Sequence, residues 1–274
     1  MSAATSSLGF LTDTTLCIGC KACEVACKQW NQLPMDGLAF TGRSYDHTGD
    51  LGAATWRHVS FIERLADGGG RRPTSLRAFQ SHWLMMSDVC KHCVNAACMQ
   101  ACPTGAIVRS EFDTVVIQQD ICNGCGYCVP ACPFGVPELS QVDGKAHKCT
   151  LCYDRLRDGL EPACAKACPT DSIQFGSVDE LMQRATERVE SLAARGVGEA
   201  YIYGDRELGG TGGIDGLSAC FILTAPPEVY NLPAEPELPQ NKTLPAFAST
   251  VGAAVALCAA SYWALRSAPS RRPT

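Results

Sequence analysis

The sequence predicts an α+β fold built of small repeated units around bound metal, closed by one membrane-spanning helix. Three observations carry this. Sixteen of the eighteen cysteines in the 274-residue chain fall into four runs of four. Short apolar strand candidates recur at related positions after those runs. A stretch of 23 residues without a charge, from Thr243 to Leu265, lies near the C-terminus.

The runs are Cys17-x2-Cys20-x2-Cys23-x3-Cys27, Cys90-x2-Cys93-x4-Cys98-x3-Cys102, Cys122-x2-Cys125-x2-Cys128-x3-Cys132 and Cys149-x2-Cys152-x11-Cys164-x3-Cys168. Proline follows Cys102, Cys132 and Cys168. This is the bacterial ferredoxin spacing, in which three thiolates of a run hold one cubane and the fourth ligates the other cluster of a pair. Four runs imply four 4Fe–4S clusters in two pairs, with all sixteen cysteines as ligands. The predicted architecture is thus tandem ferredoxin-like 4Fe–4S dicluster units with a C-terminal transmembrane helix. Short x2 spacings let thiolates converge from one loop whose N–H groups turn toward sulfur. The fourth cysteine of each run is expected to open onto a short helix and point back at the neighbouring cluster. Proline after it fixes φ and turns the chain. Lys28 follows Cys27, so that run is the least constrained in its exit. Taken alone, the fourth run with its x11 gap has zinc-like pair spacing. A disulfide framework suits a smaller secreted domain. Four quartets together favour iron–sulfur.

Net charge is −5, and no basic run offers a phosphate-binding stripe, which argues against nucleic acid. Metal–thiolate bonds replace much of the core that leucines supply elsewhere, so loss of metal should unfold most of the cluster domain. Met1 to Gly9 has neither a basic n-region nor an apolar h-region, so no secretory signal is expected. The Arg71-Arg72 and Arg271-Arg272 pairs lie far from the start. His92, inside the second run, reads as a potential-tuning or packing neighbour. His47, His58, His82 and His147 share no metal-site spacing. Cys220 and Cys258 read as small buried hydrophobes.

In chain order, residues 1–203 form the expected cluster domain, as two pseudo-symmetric dicluster units. An insertion at 36–89 carries a turn at 67–70 and a strand at 57–61. The second and third runs are joined by hairpin segments at 106–108 and 114–117. A related strand at 172–175 follows the fourth run, and Cys-Pro-Thr precedes the strand at both 102 and 168. A helix should follow, opened by a Ser177/Glu180 capping box. Leu181, Ala185, Val189 and Leu192 would share its inner face, and Gly196 would close it. Its charged face (Arg184, Glu187, Arg188, Glu190) reads as solvated surface. The glycines at 209–213 lack the Gly-Lys-Ser/Thr ending of a phosphate cradle and read as a turn before a strand at 219–223. Residues 204–242 read as a Gly/Pro-rich segment and extended linker, with six prolines from Pro226 to Pro245. A transmembrane helix at 243–266 spans about 34 Å at about 1.5 Å per residue, enough for a bilayer core of about 30 Å. Tyr262 and Trp263 suit an interfacial belt, and residues 267–274 form a basic tail. Arg266, Arg271 and Arg272 after the helix, against Lys242 before it, place the C-terminus in the cytoplasm. The cluster domain then lies on the outer face of the inner or plasma membrane.

Beyond spacing, several stretches match a known pattern: Cys-Ile-Gly-Cys-Lys-Ala-Cys at 17–23, Cys-Gly-Tyr-Cys at 125–128 and Lys-Cys-Thr-Leu-Cys-Tyr-Asp-Arg at 148–155. Others are Glu-Pro-Ala-Cys at 161–164, Ala-Arg-Gly at 194–196 and Gly-Gly-Thr at 209–211. Over residues 13 to 265 the chain resembles the iron–sulfur (beta) subunit of respiratory membrane-bound formate dehydrogenase, within the four-cluster electron-transfer subunits of molybdopterin oxidoreductases. The resemblance implies cross-paired ligand sets: Cys17, Cys20, Cys23 and Cys168; Cys149, Cys152, Cys164 and Cys27; Cys90, Cys93, Cys98 and Cys132; Cys122, Cys125, Cys128 and Cys102. In related nitrate reductase subunits a tryptophan takes the place that Cys125 holds here, so four cubanes are implied. It further implies a relay without catalytic residues of its own. Electrons would pass from a molybdenum- or tungsten-pterin catalytic subunit through the sets in that order to a membrane cytochrome b or quinone-binding subunit, in a multimer of heterotrimers. Two alternatives stand beside it. One is the electron-transfer subunit of another molybdopterin oxidoreductase (polysulfide, thiosulfate or dimethyl sulfoxide reductase) or of a hydrogenase. The other is a membrane-tethered iron–sulfur sensor or storage protein.

Overall fold

The computed structural model describes residues 7–37, 42, 45–63, 83–205, 208 and 213–267. The turn expected at 67–70, the glycines at 209–212, His82, Arg71, Arg72, Arg271 and Arg272 lie outside them. Strand β1 (Leu8–Asp13) leads into the first run, and α1 (Ala22–Trp30) carries its last two cysteines. β2 (Arg57–Glu63) and β3 (Trp83–Val89) follow, then α2 (Ala97–Gln100), β4 (Ile107–Arg109), β5 (Val115–Ile117) and α3 (Cys128–Ala131). Next come β6 (Glu138–Leu139), β7 (Ala146–His147), α4 (Tyr153–Arg157), α5 (Ala163–Lys166), β8 (Ile173–Ser177) and α6 (Val178–Ala194). The chain closes with β9 (Tyr201–Tyr203), β10 (Ala219–Leu223), a 3-10 turn at Pro227–Tyr230 and α7 (Pro239–Ser267).

One relationship recurs around the runs. β4, two residues beyond the Cys102-Pro103-Thr104 stretch, pairs antiparallel with β5, which leads into Cys122. β8, after Cys168-Pro169-Thr170, pairs antiparallel with β1, which leads into Cys17. In both places the strand leaving one run zips to the strand entering another. Runs one and four therefore share one end of the molecule's backbone, and runs two and three share another. The hairpin and strand expectations at 57–61, 106–108, 114–117, 172–175 and 219–223 all coincide with observed strands.

The body does not stop at residue 203. β10 lies centrally in a four-stranded sheet of order β8-β1-β10-β9, parallel to β1 with Phe10 opposite Ala219. All five of its residues are buried, as a strand covered on both faces requires. The segment expected to be an extended linker instead packs on that core through Tyr230, Leu232 and Leu238. Proline count alone misled here: prolines break regular structure, yet the apolar residues between them still gain by burial. α7 begins at Pro239 rather than 243. Proline suits a first helical position because its missing N–H has no intrahelical partner there.

In α6 the expected inner face holds: Leu181, Ala185 and Leu192 are buried, with Val189 packed beside them. Gly196 takes φ 84°, and the Val197 N–H returns to Leu192 O at 2.9 Å. That left-handed closure favours glycine. Two details depart from expectation. Ser177 sits at the cap position but its hydroxyl makes no cap hydrogen bond. Arg188 is not simple solvated surface, because its Nε donates to Asp13 Oδ2 at 2.8 Å. α7 offers a window of mean hydropathy 1.6, none of it buried within the chain. Cys258 is consequently exposed rather than buried, since none of the described residues covers the apolar window of α7. Cys220 is buried as expected, with Sγ 3.1 Å from Leu217 O.

Candidate iron–sulfur centres

Each run opens with the same backbone turn. The residue before the second cysteine has positive φ in all four: Gly19 at 66°, His92 at 44°, Gly124 at 73° and Leu151 at 58°. This conformation is cheap for glycine and strained for His92 and Leu151. What it achieves is visible at the fourth run, where the Leu151 N–H donates to Cys149 Sγ at 3.3 Å. The Gly19 N–H does the same for Cys17. At Gly19 a side chain is excluded twice over, because a Cβ would lie 2.6 Å from Met85 Sδ and from Phe61 Cε1.

The short helices lie before the fourth cysteine of a run, not after it. α2 ends at Gln100, α3 at Ala131 and α5 at Lys166, just short of Cys102, Cys132 and Cys168. A residue preceding proline is pushed out of the helical region, so each helix must stop there. Lys28 imposes no such limit, and α1 runs through Cys27 to Trp30. Trp30 Nε1 donates to Asp154 Oδ2 at 2.8 Å, and Arg155 stacks 4.2 Å from its ring. These contacts dock α1 on α4 and carry Cys27 to the fourth run. The repeated threonine of Cys-Pro-Thr also has a local task. Thr104 Oγ1 lies 3.6 Å from Cys102 Sγ, and Thr170 Oγ1 lies 3.8 Å from Cys168 Sγ.

The fold gathers the cysteines in cross-paired sets. Cys17, Cys20, Cys23 and Cys168 line one cavity. Cys102, Cys122, Cys125 and Cys128 line another. Cys27 lies within the field of Cys149, Cys164 and Cys152, and Cys93 within that of Cys90, Cys132 and Cys98. Neighbouring sets touch electrostatically in sequence: Cys23 with Cys164, Cys149 with Cys90, and Cys98 with Cys128. The four sets thus follow one another in a row. Cys20 and Cys125, in the first and last sets, are the exposed cysteines of the described cluster body.

These surroundings fit an anionic iron–sulfur group. Burial, followed by the charges of neighbouring cysteines, makes several of these thiols hard to ionise when free. It pushes Cys152 up to about 11 and Cys98 up to about 12, even against Lys148 beside the latter. Iron bound there would replace the proton and remove that cost. No three His, Cys, Asp or Glu among the described residues lie close enough to hold a single ion, so the sets surround spaces instead of converging on points. Buried Lys91 pairs with Asp88 and buried Arg155 donates to Glu161 O, but Arg57 and Lys148, buried among the sets, have no acidic partner among the described residues. Unpaired buried charge is costly, so their placement calls for a negative guest. Lys148 Nζ donates to Cys149 O at 3.0 Å. Although burial lowers its pKa, the charges of Cys90, Cys98 and Cys149 raise it overall.

Sequence reading gave no hint of Arg57, whose neighbours in the chain carry no motif. Lys148 and the two threonines adjoin cysteines and were findable by that adjacency. His92 is no ligand-like donor: Nδ1 accepts the Val115 N–H at 3.1 Å, fixing its proton on Nε2. Burial and the nearby Lys148 and Arg109 charges hold it well below the usual histidine range. His58 and His147 pair with Asp46 and Asp143, at 3.1 and 2.9 Å.

Fold and cysteine geometry together define a ferredoxin-like 4Fe–4S protein. Residues 81–178 match the family described as 4Fe-4S dicluster domain, and residues 14–30 the 4Fe-4S binding domain. The chain is 38% identical over 238 residues to the nitrate-inducible formate dehydrogenase iron–sulfur subunit of Escherichia coli (strain K12), covering 85% of this chain and 75% of that one. It is 39% identical over 238 residues to the formate dehydrogenase iron–sulfur subunit of Haemophilus influenzae, covering 85% and 71%. One component of the anaerobic dimethyl sulfoxide reductase of E. coli is 35% identical over 180 residues, covering 66% and 78%. This protein belongs to the family of formate dehydrogenase iron–sulfur subunits, which transfer electrons and are not themselves catalytic.

Proposed function

We propose that this chain relays electrons through four 4Fe–4S clusters from a formate-oxidising molybdenum- or tungsten-pterin subunit to a membrane cytochrome b or quinone-binding subunit. The observation that carries the reading is the row of four cysteine sets with an exposed cysteine at each end. A bound 4Fe–4S cluster supplies reversible one-electron storage at a potential set by hydrogen bonds, charge and burial. The ligands are Cys17, Cys20, Cys23 and Cys168 for the first; Cys149, Cys152, Cys164 and Cys27 for the second. Cys90, Cys93, Cys98 and Cys132 hold the third, and Cys122, Cys125, Cys128 and Cys102 the fourth. The protein's own part is to bury the inner sets, offset their charge with Arg57, Lys91 and Lys148, and leave the end sets accessible to partners.

The strand exchange between β4 and β5, and again between β8 and β1, supports two pseudo-symmetric dicluster units. α7 supports a single membrane span, long and apolar enough for a bilayer. The cluster body then lies on the outer face and the C-terminus in the cytoplasm, with the whole assembled as a multimer of heterotrimers. Protease treatment of intact spheroplasts should digest the cluster body; its protection would refute that orientation.

Purification in mild detergent followed by formate addition tests the central reading. A pterin-containing subunit should co-purify, and formate should bleach the cluster absorbance. Bleaching by a different donor alone would favour another molybdopterin oxidoreductase or a hydrogenase. The similarity to a component of dimethyl sulfoxide reductase keeps that second reading specific.

A further inference from the structure

Arg57 is 1% exposed and its position is unusual for a guanidinium. Nη1 donates to Ser87 O at 3.3 Å and Ser87 Oγ at 3.2 Å, while Nε and Nη2 have no partner among the described residues. The ring of Phe10 covers the guanidinium at 4.7 Å. Around it stand Cys23 of the first set and Cys164, Cys149 and Cys27 of the second. Ser87 extends the arrangement, with its hydroxyl 3.2 Å from Cys23 Sγ. Arg57 has only donors to offer, so Ser87 Oγ accepts from it. Towards a thiolate at Cys23, Ser87 can then only donate. Two buried donors of a permanent cation remain, facing a region rich in sulfur. Leaving them unmade would cost on the order of the desolvation of a charged group.

We propose that Arg57, with Ser87, is a positioning and potential-setting residue shared by the first two clusters: its free Nε and Nη2 donors bond sulfur of the second, and Ser87 relays it to Cys23 of the first. This deepens the ligand assignment proposed above and rests on it. It also gives the strand pair β2–β3 a task. Antiparallel register sets Val59 opposite Ser87 and Arg57 opposite Val89, which brings Arg57 and Ser87 diagonally together over the cysteines. Positive charge and sulfur hydrogen bonds favour the reduced, more negative cluster, so both raise its potential.

The test is a redox titration of the purified full complex, followed by electron paramagnetic resonance, with iron content measured alongside. Arg57→Gln should keep the iron and lower the reduction constants of two clusters about tenfold each, roughly 59 mV for one electron. Ser87→Ala should lower one of those two and leave the other three clusters unmoved. This milder variant also decides the matter if Arg57→Gln fails to assemble. Unchanged potentials in an iron-replete Ser87→Ala or Arg57→Gln complex overturn the proposal. Fewer than four clusters in the unsubstituted complex, or retention of the first two when Cys23 and Cys164 are each replaced by alanine, overturns the ligand assignment instead.

Discussion

Arg188 on α6 donates through Nε to Asp13 Oδ2 at 2.8 Å, and its Nη2 reaches Thr15 Oγ1 at 3.0 Å. Asp13 is 1% exposed and ends the strand that delivers Cys17. A helix that binds no cluster thus fixes the entry to the first run. Replacing Arg188 with Ala should cost about 2 kcal/mol, because a buried carboxylate loses its charged donor and keeps only its bonds from Thr15. Denaturant midpoints of the two proteins, both loaded with iron, give the comparison. Equal midpoints would show that Thr15 alone satisfies Asp13.

Gly124 should tolerate alanine poorly. Its φ is 73°, and an added Cβ would lie 2.3 Å from Gly144 O, a backbone atom that cannot swing aside. Strain of this kind costs about 1–3 kcal/mol before any steric clash. Gly124→Ala should therefore lose the cluster of the last set while the other three remain, read as a one-quarter drop in iron. Gly135→Ala provides the contrast: its φ is also positive, at 63°, but a Cβ there meets nothing within 4 Å.

Thr104 and Thr170 each place a hydroxyl against a cysteine sulfur. At Cys102, burial raises the thiol pKa, but the Thr104 hydroxyl and the N–H groups of Ile107, Thr104 and Ala106 bring it below its ordinary value. Thr104→Val keeps the shape and removes one donor, worth about 1 kcal/mol to the charged form. The potential of the last cluster should fall with the first three unchanged. An unshifted titration would show that the backbone donors suffice.

Acid sensitivity should include Asp46. Burial raises its carboxyl pKa, but the hydrogen bond and charge of His58, the Gly49 N–H and Lys21 outweigh burial and leave it below the ordinary value of 3.8. A carboxyl depressed on folding contributes stability above its unfolded pKa, and that contribution is lost as pH falls through the lower folded value. Asp46→Asn should be less stable than the parent at pH 6, with the gap narrowing as pH drops below about 4. Parallel melting curves at both pH values measure the gap, and a gap independent of pH would rule out the carboxylate as its source.

Removing iron should collapse the cluster body while sparing α7. Arg57 and Lys148 would be left buried opposite protonated thiols, an arrangement without compensating charge. Chelation under reducing conditions should abolish near-ultraviolet circular dichroism. Retention of that signal would mean that the four-stranded sheet holds the core without metal.

Much was legible in the sequence because metal chemistry constrains spacing tightly. The x2 intervals, the Cys-Pro stops and the strands after Cys-Pro-Thr follow from local rules that reach only a few residues along the chain. α6 and α7 were likewise set by apolar periodicity and by unbroken hydropathy. Within 204–242 the strand at 219–223 was legible, but the Tyr230–Leu238 stretch was read as an extended linker for the opposite reason: it gains its order from the distant core that β1 and β10 form.

By itself the sequence determined which cysteines act as four-membered runs, that the chain turns at each Cys-Pro, and that it carries an apolar helix long enough for a bilayer. Tertiary structure alone decided which cavity Cys168 and Cys102 line, that the sets form a row, and that Arg57 from a distant strand stands among Cys23, Cys164, Cys149 and Cys27. The physical reason is range. Thiolate spacing and proline act through a few bonds of backbone, whereas burying a cation between two cysteine sets depends on strand register and on segments that meet only when the chain is folded.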